Sequence, residues 1–294
     1  MARRCVLCCA ALFAVAWSTE AELCRQAGEN TINFGDATPV YNNLGGQGPN
    51  TGDPPVMRFG SVGTTVDGSP IDLVVSNVTE YVLANPIMNG LSTYFGAVNM
   101  MGQPTLPDAR VVRLRFSFVD GTTGVPVDLT RFFFSFFDFD QADSNNAQEC
   151  LTIVNDAFTH YALSDRRVSS AGVVEPLVNE VGATEVAVTP DTLDGANASR
   201  FCSTQAGGGT DNPTDPADLT PTQIRRSVEF TFEEQGDFEI ELSIGCCTGG
   251  GRNFAFAGQT NLDGLPLCKS PPSPPAPPSP PPPSPPPSPP PPLP

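Results

Sequence analysis

The chain is poor in the residues on which most catalytic and nucleic-acid chemistry depends. Among its 294 residues there is one histidine, His160, and one tryptophan, Trp17. No G-x-S-x-G elbow accompanies His160, so a Ser-His-Asp arrangement has no identifiable nucleophile, and His160 reads as an ordinary strand residue. Hydrolysis by paired carboxylates remains the one enzymatic alternative, because the spatial separation of the 32 acidic residues is invisible in the sequence. Otherwise the expectation is a protein that is not an enzyme. Basic residues number 15, giving a formal charge of −17, which suits neither nucleic acid nor nucleotide as a partner. The glycine runs end without the Gly-Lys-Ser/Thr of a phosphate loop. No apolar run approaches the roughly 20 residues that span a bilayer, so the protein is not expected to be membrane-embedded.

What is present begins with an export signal. Arg3 and Arg4 precede an apolar run from Cys5 to Trp17 and the small, polar stretch STEAE, the three regions of a secretory signal peptide with cleavage expected after Ala21. Retention of this segment as an N-terminal anchor is the alternative. Loss of residues 1–21 leaves Cys24, Cys150, Cys202, Cys246, Cys247 and Cys268. An even number in an exported chain predicts three disulfides, with the pairing left open by the sequence. Adjacent Cys246 and Cys247 point to opposite faces of an extended strand and so predict two different partners. Zinc is disfavoured, since no C-x2-C pair survives processing. Asn77-Val78-Thr79 and Asn197-Ala198-Ser199 match the N-glycosylation acceptor, making Asn77 and Asn197 expected glycan sites on an exported surface.

Three parts follow: the leader at residues 1–21, a domain at 22–268, and a Pro/Ser tail at 269–294. In the middle part the hydrophobic period is two. Val112, Leu114, Phe116 and Phe118 alternate with Arg113, Arg115 and Ser117; Val228, Phe230 and Phe232 repeat the pattern, as do Phe238, Ile240, Leu242 and Ile244. The run EEQGD between the last two, with Gly236 free to take positive φ, predicts a hairpin. Further strands are expected at 56–62, 71–76, 78–84, 93–98, 150–154, 158–163, 184–189 and 253–257. Helical periodicity is confined to 218–226, where Thr220, Pro221 and Gln223 predict a capped turn. Short strands between Gly, Pro, Asn and Asp clusters predict an all-β, antiparallel sandwich or jelly roll with disulfides.

The stretch RFFFSFFDFDQADSNN places six phenylalanines between 132 and 139 and then turns acidic. Phe132, Phe134 and Phe136 face one way and Phe133, Phe137 and Phe139 the other, which predicts a central strand covered on both sides. We expect it to pair with 111–119 through the intervening loop, its second face covered by loops or the 218–226 turn. Asp138, Asp140, Asp143, Asn146 and Glu149 supply oxygen ligands within twelve residues, as a calcium loop at a sandwich rim requires. Ala142 and Asp143 occupy positions 5 and 6, where an EF-hand needs a ligand and a glycine, so a true EF-hand is excluded. The alternative is that these residues only solubilise the loop and cap the strand. Asp211, Asp215 and Asp218 form a second acidic set. For sugar contact the candidates are Tyr41, Tyr81, Tyr94 and Tyr161 and the glycine-rich loops 41–55 and 245–258, which also read as irregular connections.

The tail SPPSPPAPPSPPPPSPPPSPPPPLP, residues 270–294, predicts an extended polyproline II rod of about 3.1 Å per residue. A domain joined to such a rod resembles the hydroxyproline-rich wall and matrix glycoproteins of green algae and plants, of pherophorin and extensin type, and similar tails of algae and protists; the resemblance covers this tail. It implies hydroxylated prolines, O-linked arabinose or galactose, and a cell-wall or matrix location. The expected function is that of a secreted matrix glycoprotein whose sandwich binds polysaccharide or matrix glycoproteins with calcium as its ion. A purely structural adhesive module is the alternative.

Overall fold

The computed structural model describes residues 30–65, 67–105, 109–142, 147–177, 180–245, 250–258, 260 and 262. The leader, Cys24, Asp143, Asn146, Cys246, Cys247, Cys268 and the proline tail lie outside them. Strands β1 (Thr38–Asn42), β2 (Met57–Thr64), β3 (Pro70–Asn77), β4 (Gly90–Ser92) and β5 (Phe95–Met101) lead to the long β6 (Arg110–Asp120) and β7 (Leu129–Phe137). Then come β8 (Glu149–Val154), β9 (His160–Leu163), β10 (Arg166–Ser169), β11 (Val174–Pro176), β12 (Val186–Leu193) and β13 (Ala196–Ser203). The helical turn α1 (Pro221–Arg225) precedes β14 (Val228–Gln235), β15 (Asp237–Ile244) and β16 (Gly251–Ala257). They form two eight-stranded antiparallel sheets, β1-β2-β3-β6-β15-β8-β13-β12 and β11-β10-β9-β14-β7-β16-β5-β4, packed as a sandwich. The all-β expectation holds.

β7 is interior to its sheet, between β14 and β16. Its Phe134, wholly buried, lies 5.4 Å from the Phe116 ring, 5.2 Å from Phe238 and 5.6 Å from Phe256. On the other face Phe137 packs edge-on against Phe95 at 5.2 Å, and both are buried. The chain after β16 lies on this face. Ser135 Oγ donates to Gly258 O, Thr260 Oγ1 donates to buried Glu229, and Leu262 is fully buried.

Two pairings differ from the sequence reading for one reason. β6 and β7 are not neighbours in a sheet, and β14 and β15 do not form a hairpin; each pair crosses between the sheets. Every one of these strands carries an apolar face with at least one phenylalanine, and crossing sets the two faces opposite each other across the core. Accordingly Phe118 meets Phe132 at 4.9 Å and Phe232 stacks on Phe238 at 4.4 Å. At the β14–β15 crossing the positive φ belongs to Glu234, while Gly236 serves close approach: a Cβ there would sit 2.3 Å from Val127 O. Residues 78–84 form no strand beyond an isolated bridge from Leu83 to Met100. The Gln47 side chain takes the hydrogen bonds a ladder partner would, accepting from Leu83 N at 2.9 Å and donating to Tyr81 O.

Cys150 and Cys202 are bonded across the neighbouring strands β8 and β13, directly opposite in register. α1 carries the expected capping box between Thr220 and Gln223. Asn197 is exposed at the β12–β13 turn; Asn77 is half-buried at the end of β3, its Nδ2 donating to Thr79 O. His160 opens β9 opposite Thr231 and Ser169.

Candidate functional site

The acidic end of β7 lies at the rim where β8, β13 and β16 also begin or end. Asp138 takes a left-handed φ of 64°, which swings the chain out of the sheet directly after Phe137. Phe139 N then donates to Arg226 O at 3.0 Å, tying this exit to the end of α1. The carboxylates of Asp138, Asp140 and Asp211 lie within 4.8 Å of one another. Asp211 comes from the acidic loop that precedes α1, so two sets distant in sequence converge on one place. The remaining members of that second set do not: Asp215 accepts from Ala217 N within its own turn. Glu149 lies beneath the cluster, with Oε2 accepting from Asp140 N at 3.4 Å.

Two arginines brace the site. Arg252, on β16, donates to Asp140 Oδ1 at 3.1 Å and stands 3.7 Å from Glu149. Arg226 pairs with Asp211 and, at 2.7 Å, with Glu185, and donates to Ala206 O at 3.0 Å. Gly207 is required here, because a Cβ would lie 2.2 Å from Asp140 Oδ2 and 2.5 Å from Arg226 Nη1. Asp138, Asp140, Glu149 and Asp211 therefore share two guanidinium groups, and Arg226 divides its charge with Glu185. Asp138 is the member whose carboxylate has no hydrogen bond or ion pair among the described residues.

The electrostatics follow from that shortage of cations. Burial, then the charges of Asp140 and Asp211, push the Asp138 carboxyl up to about 7 against the pull of Arg226 and Arg252. Burial also raises Asp140, and raises Glu149 well above the usual carboxylate range, with Asp140 adding to it. Glu185 goes the other way: burial raises it, but hydrogen bonds from Arg226 and Arg225 outweigh that and hold it low.

Of the residues read as metal ligands, Asp138 and Asp140 stand in the cluster with Asp211, while Glu149, buried beside Arg252, lines the same cavity outside that cluster. Arg226 and Gly207 went unread because nothing in the local sequence ties them to residue 140. Asp138, Asp140 and Glu149 bound a cavity of about 110 Å³, lined also by Gly208, Asn212 and Asn253. Next to it, sharing Asp138, Asn212 and Asn253, lies a groove of about 250 Å³ whose other wall includes Met88, Leu91 and Phe95. At its floor Asn89 Oδ1 accepts from Asn99 N at 2.7 Å and from Tyr81 OH at 3.1 Å. Asn89 Nδ2, like Asn42 Oδ1 nearby, is buried without a partner among the described residues. Of the glycine-rich loops, 41–55 closes on itself through Asn43 and Asn50, and within 245–258 residues Gly251–Ala257 form β16.

Among the described residues no helix is long and apolar enough to cross a membrane. No protein-family model matches the chain, and no curated protein matches it. Among solved structures the chain is similar to the N-terminal domain of an adhesin of Streptococcus gordonii, at 12% identity and a TM-score of 0.41, over 76% of this chain and 48% of that one, so that it spans about half of its length.

Proposed function

We propose that this chain is a secreted wall or matrix binding module that holds a divalent cation, calcium, at the sandwich rim and presents it to polysaccharide or matrix glycoprotein. The observation that carries the reading is Asp138: an unpartnered carboxylate, largely buried, gathered with Asp140 and Asp211 at the mouth of a groove. Burying a charge without a partner is costly, and an ion on that spot removes the cost. Four carboxylates against two shared guanidinium groups leave an excess of negative charge that a divalent ion offsets. All the donors are oxygens, the hard ligands that calcium takes six to eight of. The cross-strand disulfide and the exposed acceptor Asn197 support export.

A second reading also rests on an observation. Arg226 and Arg252 already pair with Asp211 and Asp140, so the cluster can serve as an internal ion-pair network in a structural adhesive module with no ligand. Metal content of the purified protein, and its melting temperature in calcium and in EDTA, separate the two. An ion that binds the native state alone raises stability by about 2.7 kcal/mol at a hundred times its Kd. We expect a saturable upward shift in calcium, removed by Asp138→Asn and Asp140→Asn. The same melting temperature in calcium and EDTA assigns the cluster to the ion-pair network.

A further inference from the structure

We infer that the groove beside the acidic cavity is the docking site of this chain's own Pro/Ser segment, residues 270–294, which lies in it as a polyproline II strand and shields it in an isolated copy. The inference is independent of the cation reading.

The groove has the surface that such a strand needs. At its rim Ile87 is 81% exposed and Met88 44%, and Leu91, Pro213 and Ala255 continue the apolar lining half-buried. Neighbouring exposed apolar side chains at a concave site mark a binding surface. The polar part of the lining donates. Asn253 is half-buried there, and its Oδ1 accepts from Asn99 Nδ2 at 2.6 Å, which leaves its own Nδ2 a donor with no partner among the described residues. Asn212 and Ser92 add exposed polar side chains. A polyproline II strand is the complement of this lining: its prolines carry no N–H, its carbonyls are unbonded acceptors, and residues 270–294 hold no charge. Apolar rings on an apolar wall, with carbonyls on side-chain donors, is a mode in which proline-rich segments are bound, and the preformed strand loses little entropy in binding.

The path of the chain decides which segment arrives. On the outer face of the second sheet Glu229, Ser135 and Ala257 stand side by side across β14, β7 and β16. The row beside them, Phe137, Ala255, Ala97 and Gly90, runs through the groove to β4. Thr260 holds the chain to Glu229, and Leu262 is fully buried just after it. Ala97 is three strands and two residues from Glu229, roughly 16 Å away at sheet spacings. Residues 263–269 span at most about 24 Å, and their Asp263-Gly264 pair is a turn signal that sends the chain back over the same face. The first prolines therefore arrive at the groove. Tethered so closely, the segment meets it at an effective concentration on the order of millimolar, which the segment of a neighbouring copy does not match in dilute solution.

The test uses the full-length chain with photo-methionine in place of methionine, irradiated in dilute solution as an equal mixture of light and isotope-labelled heavy chains, with cross-links mapped by mass spectrometry. The expected result is cross-links from position 88 to residues 270–294 of the same chain. Two variants should lose them while circular dichroism shows the fold intact. Ser92→Trp fills the groove from an exposed position, and glycine in place of the prolines from 271 to 292 keeps the length and removes the polyproline II strand. Folded wild-type protein without cross-links from position 88 to the segment overturns the inference. Cross-links that join light to heavy chains assign the groove to a neighbour's segment and overturn it equally. Cross-links that survive in both variants mark the chance contacts of a tethered chain and overturn it as well. The calcium-induced melting shift is read separately, so this inference and the cation reading can fail one without the other.

Discussion

Residues 132–137 and Asp140 lie three positions apart in the chain and are nearly equal in burial, yet they obey different physics. Phe134 is 0% exposed and Asp140 3%. The phenylalanine segment gains from every contact it makes, because apolar area removed from water adds up at about 25 cal/mol per Å². The aspartate segment loses by burial and recovers only what Arg226, Arg252 or an ion returns to it. Burial alone therefore does not separate scaffold from site; the unpaired charge does. The strongest way to break the scaffold side is Phe134→Ala, which leaves a cavity among Phe116, Phe238 and Phe256. Urea unfolding should show a loss of about 3–5 kcal/mol. Protein that remains folded should keep its calcium response, since no ring in that cluster touches a carboxylate.

Legibility in the sequence divides along the same line. Period-two alternation identified the inward faces of β6, β14 and β15, and two-sided apolarity identified β7 as an interior strand, because burial is written in each residue's own chemistry. Which strands pair was not written there. A short loop with glycine reads as a hairpin, and only the need of two phenylalanine faces to meet sends the chain across to the other sheet. At the site, Asp138 and Asp140 were legible as members of one acidic cluster because they follow a strand end. Their third partner, Asp211, had been placed in a separate acidic set, and Arg226 and Gly207 gave no local signal. Long-range convergence is a property of topology, and the sequence displays neighbours along the chain only.

A middle-sized effect sharpens the comparison through pH. The Asp138 carboxyl titrates near 7 in the folded protein against an ordinary value of 3.8. Between these values the folded state holds a proton that the unfolded chain has released. The share of stability that Asp138 contributes in EDTA therefore falls as pH rises from about 4 to 7 and is level above, in the sense that linkage requires. The contribution is on the order of 4 kcal/mol. Asp138→Asn, compared with wild type in EDTA across pH 4–8, should show a shallower decline, the raised carboxyls of Asp140 and Glu149 keeping their own share, and be the more stable of the two at pH 8. Equal pH slopes for the two proteins would mean that Asp138 is as well solvated as any surface aspartate.

The smallest effect belongs to charges that share neither regime. On the open face of the first sheet Arg115 meets Glu239 at 2.5 Å, with Asp237 3.8 Å away, and its side chain is half exposed. Water and salt screen such a pair, and ordering two long side chains consumes most of what it yields. Arg115→Ala should cost at most about 1 kcal/mol, with the difference vanishing in high salt. Arg252→Ala, which strips Asp140 and Glu149 of their shared guanidinium, serves as the contrast, because breaking a buried pair leaves uncompensated charge behind. A denaturation series in which the two variants lose equal stability, or respond equally to salt, would remove the distinction between rim and open face. The expected inequality locates the cost of this fold's polar chemistry at the end of β7.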